Sequence, residues 1–177
     1  MSKQKLMDER HEILKQVYED LTDELYAATL DEKKSEDDVE ILRVMFDNIG
    51  FDVEEGAIGE FLFMPLISEE DEVQYFTSVL TIANVAVEEN LPKLYEALSI
   101  INYVVPCGAF VYDRDNVLLA YKLTTPISMD LHGEDLSKQV NICMGNAVAI
   151  TDKYCDLLLR INSGEIDIDH VIEQVNV

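Results

Sequence analysis

The chain has 177 residues, 48% of them hydrophobic, and its 36 acidic and 13 basic residues give a formal net charge of −23. This length predicts one domain with a core of its own. The charge excludes binding to nucleic-acid phosphate or to an anionic membrane leaflet, because both depend on basic side chains. It favours a soluble protein or one whose partner is basic.

The cysteines and the N-terminal residues indicate a cytoplasmic protein. Cys107, Cys143 and Cys155 are an odd number of cysteines without any C-x-x-C spacing, which argues against a disulfide framework and against zinc. The opening residues MSKQKLMDERHEILKQ contain no apolar signal-peptide region, and no apolar run predicts a transmembrane helix. We therefore expect a reducing cytoplasm.

Two helices are predicted before any strand. Residues 5–29 have apolar side chains at helical spacing with charges between them: Leu6, Ile13, Leu14, Val17, Leu21, Leu25 and Ala28. A polar joint, DEKKSEDD, follows at 31–38, and the next helix would extend from about Val39 to Ile49 and end at Gly50. We expect a helical arm over residues 1–35 and a single α+β domain with a short tail over 36–177. The apolar stripe of the arm needs a cover, which is the sheet, the long helix or another subunit.

Strands and helices then come in blocks. Strands are predicted at 51–56, 57–67 and 73–87, an antiparallel meander in which Pro65 suggests an edge or a bulge. A helix from about Asn90 to Tyr103, a hairpin (107–113 and 117–124), a long helix (133–161) and a helical tail (166–177) follow. The order α-α-β-β-β-α-β-β-α predicts an α+β fold, with helices packed on an antiparallel sheet of about five strands, rather than a doubly wound nucleotide fold.

The acidic segment DRDN at 113–116 is the first candidate for chemistry. Counted from Asp113, a calcium loop of the EF-hand type would need an acid or amide where Val117 stands, a glycine at Leu118 and a glutamate at Thr124. A four-residue hairpin turn explains the segment better, because Asp and Asn bond their own backbone.

The other acids and the histidines form no recognisable set. Glu60 is the one acid inside an otherwise apolar strand, and its side chain is expected to face solvent. His11, His132 and His170 are far apart and form no H-E-x-x-H pattern. His11 is expected on a solvated helix face. A shared metal site is therefore not expected.

The cysteines and glycines are explained by structural roles. Cys143 and Cys155 on the long helix are expected to fill core space, and Cys107 lacks a base or histidine close in sequence that would activate it. A G-x-x-G at 56–59 lacks the strand–turn–helix context of a phosphate loop. Gly145 costs about 1 kcal/mol in mid-helix relative to alanine, which predicts that the sheet or a partner helix comes close to it, and packing on the sheet is favoured. We predict no catalytic, cofactor-binding or metal-binding residue.

The segment LPKLYEALSIINYVVPCGAFVYDRDNVLLAYKLTTPI (91–127) resembles the YbjN-like family, which shares the fold of type III secretion chaperones. The resemblance rests on Ile101, Asn102, Pro106, Gly108 and Phe110, then on an acidic turn, a strand ending at Thr124 to Pro126, and Asp152-Lys153-Tyr154 in the closing helix. It covers about residues 36–162. It implies a regulatory or client-binding protein, usually an acidic dimer, and it brings no catalytic residues.

The leading hypothesis is a non-enzymatic, chaperone-like or regulatory protein that binds a peptide or a second subunit, by strand addition or by a helix in a groove. The alternative is a sensor domain with a small apolar pocket for a metabolite beneath the sheet. An enzyme would require a cleft that clusters several acids with raised pKa values.

Overall fold

The structure, a computed structural model, describes residues 3–31, 39–50, 55–65, 72–83 and 87–175. The helices of these ranges are α1 (Lys3–Asp23), α2 (Leu91–Val104), α3 (Gly133–Ser163) and α4 (Ile168–Val175), with a 3-10 turn at Glu88–Asn90. The strands are β1 (Ala27–Asp31), β2 (Ile41–Ile49), β3 (Glu55–Phe63), β4 (Val73–Ala83), β5 (Ala109–Asp113) and β6 (Leu118–Ser128).

The six strands form one open sheet in the order β1-β2-β3-β4-β6-β5. The first four strands are neighbours in chain order, which is an antiparallel meander, and β5 and β6 form a hairpin at the other end. The predicted α+β class is confirmed, as is a sheet on which helices pack: α1 contacts β1, and α2 contacts β5. The sheet has one strand more than expected.

The predicted second helix is wrong, because residues 41–49 are strand β2. Leu42 and Val44 are fully buried while Arg43 between them is half-buried and Met45 is exposed. The apolar residues Ile41, Leu42, Met45, Phe46 and Ile49 fit a helical period equally well, but pairing with β1 imposes the period of two. Gly50, with φ of 100°, ends the strand instead of a helix.

The first helix is shorter than predicted. It ends at Asp23, Leu25 has φ of 70° and is 92% exposed, and the amide of Tyr26 donates to the carbonyl of Leu21. The chain then reverses into β1, so Ala28 belongs to a strand. The stripe of α1 that is buried consists of Leu6, Arg10, Ile13, Leu14 and Val17.

The remaining elements lie close to their predicted positions. β3 and β4 cover the first parts of the predicted strands 57–67 and 73–87, while residues 51–54, 66–71 and 84–86 lie outside the described residues. The boundary predicted between strands 51–56 and 57–67 is wrong, because Gly56 lies within the continuous strand β3. The helix, hairpin, long helix and helical tail of the second half are all present. β6 continues through Pro126 to Ser128, beyond the end predicted at Thr124.

The chain divides into two compact units. The first comprises Met1–Phe46, Ile58–Ser78 and Thr124–Asn146, and the second comprises Asp47–Ala57, Val79–Leu123 and Ala147–Val177. The boundary predicted between an arm and a domain at residue 35 lies outside the described residues and stays a prediction.

Each unit has its own buried apolar residues. In the first unit these include Leu6, Leu14, Leu42, Phe61, Phe76, Leu136 and Val140. In the second unit the ring of Phe110 lies 4.9 Å from the ring of Tyr121 and 6.1 Å from that of Tyr154. Burial of such rings stabilises the hairpin against α2 and the C-terminal half of α3. α2 also contacts α4, whose Val171 is fully buried.

The predicted packing of Gly145 on the sheet is wrong. It is exposed on α3, and a Cβ atom added there would have no heavy atom within 4 Å among the described residues. The helix therefore does not need a glycine at this position to approach the sheet.

Candidate functional site

The DRDN segment is a turn, as predicted. One carboxylate oxygen of Asp113 accepts hydrogen bonds from the amides of Asp115 (2.9 Å) and Asn116 (3.2 Å), and the other accepts from the side chain of Asn116 at 2.8 Å. The Asn116 side chain and its backbone amide hold the pKa of the Asp113 carboxyl below its usual value. All its hydrogen bonds close the hairpin, so this acid has a structural explanation.

Two of the three histidines and Glu60 have charged partners. His11 Nδ1 lies 2.7 Å from Glu40 Oε1, and His132 Nδ1 lies 3.0 Å from Glu9 Oε2. Glu60 is half-buried between the buried residues Gly59 and Phe61, and its carboxylate lies 2.8 Å from Arg43 Nε. The described residues contain no group of three or more His, Cys, Asp or Glu side chains arranged to hold a metal ion. Over the same residues, no helix is long and apolar enough to cross a membrane.

The cysteines are free thiols in the positions expected. Cys143 and Cys155 are buried, and burial raises the pKa of the Cys155 thiol to about 12. Cys107 is half-buried, and its carbonyl accepts a hydrogen bond from the hydroxyl of Tyr121. Burial, followed by the nearby Cys107, raises the pKa of that hydroxyl. Burial thus disfavours ionisation of the Cys155 thiol, whereas an activated nucleophile needs a lowered thiol pKa.

A buried arginine was not foreseen from the sequence. Arg10 is 3% exposed; its Nε donates to Gln74 Oε1 at 2.9 Å and its Nη1 donates to the carbonyl of Met64 at 3.2 Å. The guanidinium also lies 5.0 Å from the ring of Phe63. Burial lowers its pKa to about 10. Among the described residues, Arg10 Nη2 and Gln74 Nε2 have no hydrogen-bond acceptor, and the groups that contact the guanidinium there are neutral.

The two terminal strands of the sheet, β5 and β1, differ in how the backbone groups of their outer edges are bonded. β5 is one terminal strand. The side-chain amide of Asn102, on α2, accepts a hydrogen bond from the Phe110 amide at 2.7 Å and donates to the Phe110 carbonyl at 2.9 Å. Because both backbone groups of Phe110 point to Asn102, the bonds of β5 to β6 come from Ala109, Val111 and Asp113. Asn102 thus takes the place of a next strand at the middle residue of β5, while the backbone groups of Tyr112, which alternate in the same direction, are outside this cap.

β1, at the other end, has an open edge. It pairs only with β2 in the register Ala27↔Met45 to Asp31↔Ile41. In an antiparallel pair alternate residues point their backbone N–H and C=O groups away from the partner. Within the described part of the chain, no side chain bonds these groups in the way that Asn102 bonds β5. Such an edge accepts a further strand.

A groove accompanies the open edge. It has a volume of about 470 Å³ and is lined by His11, Lys15, Tyr18 and Glu19 of α1 and by Ala28, Thr29 and Leu30 of β1. All of these residues belong to α1 or β1, so the groove lies between these two elements. Its lining therefore combines apolar strand residues with polar helix residues, next to free backbone groups.

Its orientation follows from two contacts. His11 pairs with Glu40, which precedes Ile41, the partner of Asp31. At the other end, the ring of Tyr26 lies 5.9 Å from that of Phe46, next to Met45, the partner of Ala27. His11 is thus at the Asp31 end of β1, and Glu19, close to the end of α1, is towards Ala27.

Sequence reasoning missed the strand that forms this edge. Tyr26, Ala28 and Leu30 alternate, and Thr29 is β-branched, which is the signal for a strand. The spacing of Leu21, Leu25 and Ala28 obscured it by continuing the helical period. Asn102 was noted only as part of a resemblance, and the spacing of Arg10 and Gln74 in sequence gives no sign of their contact.

Comparison with known proteins gives no function. No family model matches the chain, and no curated protein matches it. A crystal structure of an uncharacterized protein from Methanothermobacter thermautotrophicus is similar at 10% identity with a TM-score of 0.43, over 85% of this chain and 99% of that one.

Proposed function

We propose that this protein is a non-enzymatic, chaperone-like binding protein that takes up an extended segment of a partner protein as an added strand beside β1. The open edge of β1 carries this proposal; at the other terminal strand, Asn102 already occupies the backbone groups of Phe110. Main-chain hydrogen bonds would supply affinity, and the groove would receive alternate side chains of the segment.

Charge favours a partner segment over a second copy of the chain. Two copies that paired through β1 would each carry a net charge of −23, and this repulsion opposes a homodimer. The exposed residues Asp20, Asp23 and Glu24 stand at the end of α1, which has no basic residue in its last turn. A partner with net positive charge would be attracted to this region. A cytoplasmic location and a role in regulation are part of the same proposal.

The test is selection of binding peptides from a random 12-residue phage library, with contacts mapped by amide chemical shifts. We expect selected peptides to perturb amides of residues 27–31 and of the α1 face that lines the groove. Peptides that perturb other surfaces, or a selection that yields no binder, would refute strand addition. Light scattering of the free protein distinguishes the competing occupant, because pairing of two copies predicts a dimer.

Proline substitutions give a matched pair of variants. Ala28→Pro and Thr29→Pro each remove one backbone N–H, and one of these points to β2 while the other points to the open edge. We expect one variant to lose thermal stability and the other to keep it while losing peptide affinity by more than tenfold. A stable variant that binds with unchanged affinity would contradict the proposal.

A further inference from the structure

We infer that the groove beside β1 selects the direction of the bound segment by charge, taking an antiparallel strand with an acidic residue two positions before a basic one. This inference rests on the proposed strand addition and specifies the partner's sequence. It is carried by Lys15 and Glu19, two opposite charges in the groove wall.

The first observation is that these two charges are uncommitted. No ion pair joins Lys15 or Glu19 to a described residue, nor to each other, although they are four apart on α1. The groove is also lined by His11, whose ring can carry a positive charge, but this ring is already in contact with Glu40. Lys15 and Glu19 are therefore the charges that remain for an occupant.

The second observation is a match of spacing. Four residues of helix rise about 6 Å, and two residues of a strand rise about 6.6 Å. Alternate side chains of an added strand, which point to one face, would therefore come opposite Lys15 and Glu19 in turn. A strand lying on the free side of β1 has its groove-facing side chains on the face of Ala28 and Leu30, which line the groove with α1.

The third observation is the order of charges along β1. Since His11 is at the Asp31 end, Lys15 lies nearer that end than Glu19, which follows it toward the end of α1. A segment antiparallel to β1 begins at the Asp31 end. Going from its N-terminus, the segment comes opposite Lys15 first and Glu19 second. The complementary order in the segment is therefore an acidic residue, any residue, and then a basic residue. Antiparallel addition continues the pattern of the whole sheet.

The experiment uses two peptides of one composition, TVTETKTV and TVTKTETV, labelled with a fluorophore and titrated against the full chain. We expect TVTETKTV to bind roughly 5- to 10-fold more tightly at low salt, because two attractive pairs replace two repulsive ones. The preference should shrink in 0.5 M salt, since the charges are exposed to solvent. The exchanged variant, Lys15→Glu with Glu19→Lys, keeps the net charge and should reverse the preference.

The possible results separate the two proposals. Equal affinities for both peptides, with amides of β1 still perturbed, would overturn the charge order and leave strand addition standing. A preference that the exchanged variant does not reverse would likewise overturn the assignment to Lys15 and Glu19. Absence of binding by either peptide would overturn both. Thermal melting of the exchanged variant provides the control for folding.

Discussion

Arg10 shows most clearly what a single residue contributes. A buried guanidinium normally has a carboxylate partner, because transfer of an unpaired charge from water costs several kcal/mol. Here that role is shared by the amide oxygen of Gln74, the backbone carbonyl of Met64 and the ring face of Phe63. Burial lowers the pKa of this guanidinium to about 10, so the charge remains at neutral pH and the cost of burying it is fully present there.

This arrangement predicts strong coupling between Arg10 and Gln74. Gln74→Leu leaves the guanidinium Nε without an acceptor and should reduce the free energy of unfolding by about 2–4 kcal/mol. Arg10→Met should cost less, and the double variant should be more stable than Gln74→Leu alone. Urea unfolding of the four proteins measures the cycle. The control is Arg43→Met at a partly exposed ion pair, with an expected loss of about 1 kcal/mol or less. Additive effects of the two buried substitutions would contradict the prediction.

At the scale of elements, the two terminal strands illustrate how an edge is protected or left available. β5 is short, and Asn102 occupies the hydrogen-bonding groups of its middle residue. β1 is equally short but has a polar groove beside it. The cap on Phe110 disfavours strand addition at β5 and leaves β1 as the proposed binding edge.

The Asn102 cap predicts two linked effects of its removal. Asn102→Ala deletes two hydrogen bonds to a buried residue and should lower the free energy of unfolding by about 1–3 kcal/mol. It also exposes the edge of β5, so we expect association that increases with protein concentration in analytical ultracentrifugation. The matched control is Asn116→Ala in the exposed hairpin turn, which should remain unassociated. An Asn102→Ala protein that is destabilised yet stays as unassociated as this control would show that the cap serves stability alone.

At the scale of the whole molecule, the chain has a net charge of −23 and contains a buried thiol whose ionisation would add one more negative charge. The pKa of Cys155 is raised to about 12 by burial, with Asp156 and Asp152 adding to the effect. Below its ordinary pKa of 9.0, the thiol is neutral in both the folded and the unfolded chain. Above that pH the unfolded chain ionises first and the folded chain retains the proton. Stability is therefore present at neutral pH and is lost as pH rises from 9 toward 12.

This predicts a steeper alkaline loss of stability than a chain without the thiol would show. Between pH 8.5 and 10, urea unfolding of the native chain should lose up to about 1 kcal/mol per pH unit more than Cys155→Ala does. Cys155→Ala loses buried volume and will be less stable at every pH, so the slopes are compared and not the absolute values. Parallel slopes for the two proteins would refute the assignment to Cys155.

The sequence by itself determined the α+β class, the succession of β3 and β4, the β5–β6 hairpin with its Asp113 turn, and the two helices that flank that hairpin. These elements have local causes: turn residues, periodicity and a capping proline act over a few residues. The sequence misplaced 26–31 and 41–49, where apolar residues fit periods of both 3.6 and 2. Pairing between β1 and β2 decided them, and that pairing joins residues far apart in the chain.

Only the tertiary structure decided the candidate site. The edge of β1 is open because of the strand order. The edge of β5 is capped because Asn102 reaches Phe110. Arg10 contacts Gln74, which is 64 residues away in the sequence. Such contacts depend on how elements pack and leave no period or motif in the sequence. The net charge of −23 follows from the composition alone. The order of Lys15 and Glu19 along a strand edge depends on β1 running back along α1 in the folded chain.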